Sequence, residues 1–152
     1  MPTASRTSRS YQADVLLVPL EPRARAAVAG PDPLAALAGI TIAGTDPQAG
    51  DTRHDVVVML AHDLPAVAPG LVARLGASAH EAGALVGAII VSPDRTWRGP
   101  EARRAAAALR AAADTVVVLS GMAPATALLQ VLRGGPGTAG TANPTRRKTD
   151  RP

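Results

Sequence analysis

Three junctions in the sequence combine reactive residue types with positions at which ligands are commonly held. They are LEPRARAAVAG (20–30), GTDPQAG (44–50) and HDLPAVAPG (62–70), each following an apolar run. In open α/β sheets ligands bind outside the carboxyl ends of strands, where helix N-termini aim N–H groups at anions. None of the three fits GxGxxG, and no GxxxxGK(S/T) occurs. At the third junction Asp63 is expected to cap the next helix, accepting from its free N–H groups. Pro65 removes one donor outright. A phosphate arriving there would find the donors occupied and a like charge in their midst.

Other reactive side chains are dispersed. Thr45 and Asp46 end an apolar run and read either as a residual ligand contact or as a turn, since Asp-Pro followed by Gly is good turn chemistry. His54 and His62 bracket one strand and stand roughly 26 Å apart at ~3.3 Å per residue, too far to share a metal. His80 falls late on a helix beside Glu81 and is expected to face solvent. Ser78, Ser92 and Ser120 lack a GxSxG context, so nucleophilic catalysis has no support. Trp97, in DRTWRGP, reads either as a partner anchor flanked by Arg or as a hydrophobic staple under the following helix.

The elements that must carry these residues alternate. Five runs, DVLLVPL (14–20), AGITIAG (38–44), DVVVMLA (55–61), ALVGAIIVS (84–92) and DTVVVLS (114–120), are nearly continuously apolar. That is the pattern of strands covered on both faces. Helical patterns fall at 23–29, 65–82, 100–113 and 123–133, and GPEARRAAAALRAAAD is the clearest, with Pro100 at its start and Glu101 in its first turn. The alternation predicts an α/β fold: a three-layer, open, mostly parallel sheet of about five strands, Rossmann-like in type. The domain is expected over 13–134, between polar tails at 1–12 and 135–152 that are expected to be disordered.

The totals narrow the function classes. The chain has 152 residues, no Phe, one Trp and one Tyr, so Ala, Val, Leu and Ile must fill the core. The net charge is +4, but Arg6 and Arg9 contribute +2, and Arg146, Arg147, Lys148 and Arg151 less Asp150 contribute +3. The middle is left at −1, which is not the basic footprint of a nucleic-acid-binding domain. The C-terminal RRK cluster reads as a solubilising end or a weak contact with an anionic surface. Without Cys there is no thiolate metal site, disulfide or Cys nucleophile. No run approaches the ~20 apolar residues of a membrane span and none reads as a signal peptide, so a cytoplasmic location is expected.

From Asp55 to Val91 the chain resembles the nucleotide-binding domain of FtsZ, the bacterial tubulin homologue. DVVVMLAHD is similar to that family's strand ending in Ala-Gly-Met, and LPAVAPG, Leu64 to Gly70, stands where the family has its GGGTGTG phosphate loop. HEAGALVGAIIVSP resembles the family's KELGALTVAVVTKP, and RGPEARRAAAALRAAADTVVVLS its EGKRR-type helix followed by DTLIVIPN. Upstream, AGITIAGTDPQA resembles VEFIAINTDAQA, with Thr45 and Asp46 on its Thr-Asp. DVLLVPLEPRARAAVAG falls on the first strand, glycine-rich turn and helix. The resemblance covers about residues 14–133.

What the resemblance implies turns on the departures. Leu20, Glu21, Pro22 and Arg23 stand at the family's first glycine run, and of GGGTGTG only Gly70 remains. Gly121 stands at the Asn of the guanine-contacting turn, and several tens of residues are missing between Gln48 and Asp55, including another phosphate-contacting loop. The chain also stops short of the family's central helix and of its second domain, whose acidic loop completes the neighbouring subunit's GTPase site. Glycines let backbone donors approach phosphate, and bulky or proline residues block that. The expectation is a pseudo-GTPase: a non-hydrolysing interaction or regulatory module without a cofactor, whose partner is FtsZ or an FtsZ-like protein. Its degenerate nucleotide-site positions are Thr45, Asp46, Asp63 and Gly70. The alternative is a GTP-binding protein or weak GTPase with an atypical phosphate site that uses Asp46 or Arg23.

Overall fold

A computed structural model describes residues 12–44, 53–94 and 96–134. Five strands form one parallel sheet: β1 (Val15–Pro19), β2 (Thr41–Ile42), β3 (Val56–Ala61), β4 (Leu85–Val91) and β5 (Thr115–Leu119), in the spatial order β2-β1-β3-β4-β5. The five helices are α1 (Pro22–Ala29), α2 (Pro31–Ala36), α3 (Pro69–Glu81), α4 (Pro100–Ala112) and α5 (Met122–Arg133). The α/β open parallel sheet expected from the alternation is what forms. The tails beyond Gln12 and Gly134, and Thr45 and Asp46, lie outside the described residues.

The continuous apolar runs have a simple cause: alternate residues of each strand feed two separate cores. Val57, Met59 and Ala61 of β3 with Val86, Ala88 and Ile90 of β4 face α3 and α4. Val58 and Leu60, Ile89 and Val91, with Val15 and Leu17 of β1, face α1 and α5, where Ala24, Val28, Ala125 and Leu129 cover them. The α3/α4 side is packed with alanine: Ala102, Ala105 and Ala106 are at most 1% exposed. Small side chains bring the two helices close. A Cβ placed on Gly76 of α3 would stand 2.8 Å from the Ala112 Cβ and 3.0 Å from the Ala112 carbonyl oxygen.

Two boundaries differ from expectation. The helical pattern over 65–82 resolves into a single 3-10 turn, Leu64–Ala66, and then α3, which begins at Pro69. Both Pro65 and Pro69 satisfy the preference for proline in a first turn, and the chain uses each to start a separate element. The second strand shrinks from the expected 38–44 to two paired residues, Leu16↔Thr41 and Leu17↔Ile42. Before it, PDPLAA forms α2, a turn-and-a-half helix that the prolines had concealed.

Candidate functional site

The strand order reverses direction between β1 and β3, because the connection after β1 runs outward to β2 and the connection after β3 runs the other way to β4. The crevice at the carboxyl ends of those two strands is the ligand position of doubly wound folds. Here it is filled by the chain itself. Glu21, the residue before α1, is 1% exposed and turns its carboxylate back over the helix N-terminus. Oε2 accepts the Arg23 N–H at 2.9 Å, and Oε1 accepts the Ala24 N–H at 3.1 Å. Oε1 also accepts the His62 N–H, at the end of β3, at 2.7 Å.

The donor inventory of this helix end closes completely. Pro22 has no N–H, Arg23 and Ala24 donate to the Glu21 side chain, and the Arg25 N–H donates to the Glu21 carbonyl at 3.0 Å. A carboxylate at the positive end of the helix dipole, with three N–H donors, is a stable way to bury a negative charge. No N–H of the first turn is left for an incoming phosphate.

Next to this plug, between the ends of β3 and β4, a cavity of about 220 Å³ remains. Arg23, His62, Asp63, Ser92, Trp97 and Arg98 are among the side chains that line it. The His62 Nε2 is buried without a hydrogen-bond partner. Burial holds the His62 imidazole below its ordinary pKa of 6.5; the Glu21 charge works against that shift, and Arg23 adds to it. On the β4 side, Ser92 is 8% exposed, its Oγ 3.1 Å from Asp94 Oδ1 and 3.3 Å from the Thr96 carbonyl. Bonds from Thr96, side chain first and then backbone, and from Ser92 hold the Asp94 carboxyl below its usual range. Asp94 is therefore committed to shaping its own loop.

The expected site residues scatter. Asp63 lines the cavity but makes no side-chain capping bond, contrary to the expected helix cap. The reason is geometric: α3 begins six residues later, behind Ala68, and it too has no side-chain cap. Gly70 sits exposed in the first turn of α3, with open space around it, and is not among the residues lining the cavity. Thr45 and Asp46 lie outside the described residues. Trp97 packs, partly buried, against the α3/α4 core with the Arg110 guanidinium 5.9 Å from its ring centre. His80 pairs with Asp114, its Nε2 3.1 Å from each carboxylate oxygen.

Glu21 entered the sequence reading only as one of the residues standing at the first glycine run, and its capping role was missed. The one signal available was a carboxylate directly before a Pro-started helix, outside the Ser, Thr, Asp and Asn set that marks most caps. Among the described residues, no group of three or more His, Cys, Asp or Glu side chains is placed to hold a metal ion, and no helix is long and apolar enough to cross a membrane. The chain matches no protein-family model and no curated protein.

Proposed function

We propose that the chain is a non-hydrolysing interaction module, an FtsZ-like nucleotide-binding domain in which a carboxylate of its own stands in for the polyphosphate. One observation carries this reading: the Glu21 carboxylate consumes both side-chain-accessible N–H groups of the α1 N-terminus and the N–H at the end of β3. An anionic ligand in that crevice would have to displace a buried, triply bonded carboxylate and would meet its charge. The resemblance in order and type of the five strands is what speaks for the FtsZ-like reading, and the loss of the glycine runs agrees with the filled crevice. The partner proposed is FtsZ or an FtsZ-like subunit, docking at the carboxyl ends of the strands, with no nucleotide between the two.

Labelled GTP titrated with the 152-residue chain should give no saturation up to millimolar nucleotide, and saturable binding would remove the reading. Co-sedimentation with polymerised FtsZ tests the partner: the chain should enter the pellet or alter polymer yield, and absence of both effects ends the filament version.

A second reading, a nucleotide-binding protein with an atypical site, has one observation in its favour. The unpartnered His62 Nε2 and the Arg23 and Arg98 side chains line a common cavity. At about 220 Å³ it lies below the ~300–1,000 Å³ of typical small-molecule clefts, which weighs against a whole nucleoside triphosphate.

A further inference from the structure

The sheet ends on one side in β2, two residues long, and on the other in β5, five residues long and paired only with β4 among the described residues. An edge strand leaves a row of backbone groups without strand partners, and proteins usually blunt such edges by shortness, charge, proline or a bulge. β2 is short. β5, with the sequence TVVVL, has no charge, no proline and an unbroken register with β4 from Thr115 to Leu119. Its valines are only half-buried, whereas Ala88 to Val91 of β4 are buried. Beside β5, on the α5 side, an apolar cavity of about 200 Å³ is lined by Leu85, Val117, Leu128 and Leu132 among others. Leu85 and Val131 are 65% and 66% exposed.

We propose that β5 is a homodimer contact, in which two copies pair edge to edge and antiparallel about a two-fold axis at Val117. The occupant is a second copy because the strand complements itself. With Val117 opposite its own counterpart, Thr115 faces Leu119 and Val116 faces Val118. Asp114 then faces Ser120, so no carboxylate meets its own image and no apolar side chain meets a charge. The hydrogen-bond phase agrees. The Ser92 N–H donates to the Leu119 carbonyl, so alternation along β5 turns Val117 and Leu119 toward β4 and Val116 and Val118 toward the open edge. Val116 and Val118 of opposite copies are the residues that the two-fold register brings together, as the reciprocal pairs of an antiparallel ladder require. The two-residue β2 offers no matching edge for a head-to-tail sheet, so the contact closes as a pair.

Sedimentation of the 152-residue chain from about 1 µM to about 500 µM should give a mass that rises from one chain to two. Thr115 is exposed, so Thr115→Lys leaves the fold intact by circular dichroism and raises the dissociation constant about tenfold or more. The chain has no cysteine, so Val117→Cys puts a single thiol at the axis. Mild copper–phenanthroline oxidation should link it to its counterpart faster than Ser78→Cys, at an exposed position of α3, and faster than Val116→Cys, whose copies lie on a ~7 Å diagonal. A single-chain mass throughout, a dimer indifferent to Thr115→Lys, or equal linking at positions 117 and 78 overturns the proposal.

Discussion

The Oε1 atom of Glu21 accepts the backbone N–H of His62 at 2.7 Å, so one buried carboxylate joins the end of β1 to the end of β3 and caps α1 at the same time. Truncating it in Glu21→Ala leaves three N–H groups unpaired in a buried crevice. The expected loss is about 3 kcal/mol, or roughly 10 °C in melting temperature. The same variant should gain what the wild type lacks. Sulfate should raise its melting temperature more than that of the wild type, relative to sodium chloride at equal ionic strength, because the vacated helix end becomes an anion site. Equal responses of the two proteins would show that Glu21 does not occupy such a site.

His62 supplies a pH dependence. Its folded-state pKa is depressed from 6.5, chiefly by burial, so the unfolded chain binds more protons in and below that range. Its stabilising contribution is whole above 6.5 and is lost as pH falls through the folded-state value. Melting curves from about pH 7.5 to about pH 5 should therefore show the wild type losing more stability than His62→Gln. Parallel curves would mean that the ring is not desolvated as described.

Gly76 is required by the spacing of α3 and α4. Gly76→Ala gains up to about 1 kcal/mol of helix propensity but drives a Cβ within 2.8 Å of the Ala112 Cβ. Overpacking costs ~1–3 kcal/mol, and the net change should be destabilising. Adding Ala112→Gly should recover part of the loss in a double-mutant cycle by urea unfolding, because the two sites share one contact.

Trp97 should report on the α4 side of the core, and as the one Trp in the chain it does so without interference. Trp97→Ala is expected to cost about 2 kcal/mol, less than a fully buried Trp, since the ring is only partly covered. Arg110→Ala should cost about 0.5 kcal/mol, measured by following Trp97 fluorescence through unfolding.

The frame was legible in the sequence because β1, β3 and β4 are buried on both faces, and that condition writes an uninterrupted apolar run into the chain; β5 carries the same kind of run although it is only half-buried. α4 was equally plain, with Pro100 and Glu101 at its start and alanine along its length. The short α2 was hidden because PDPLAA carries two prolines in six residues and reads as a turn. The start of α3 was ambiguous between two prolines four residues apart, and assigning the cap to Asp63 followed from choosing the first. The site itself was hardly legible. Its central contact joins Glu21 to a backbone N–H forty-one positions further on, and no local pattern encodes which main-chain donor a side chain will find.

A substituent tethered to the backbone has an effective concentration that no cellular pool can dilute. If the proposed reading holds, Glu21 seated on the first turn of α1 keeps that end of the sheet in one shape whether nucleotides are abundant or depleted. A module of that kind has no leaving group to release and hence no timer to run down. A partner docking there would then meet a constant surface, and control of the encounter would rest on how much of each protein is present.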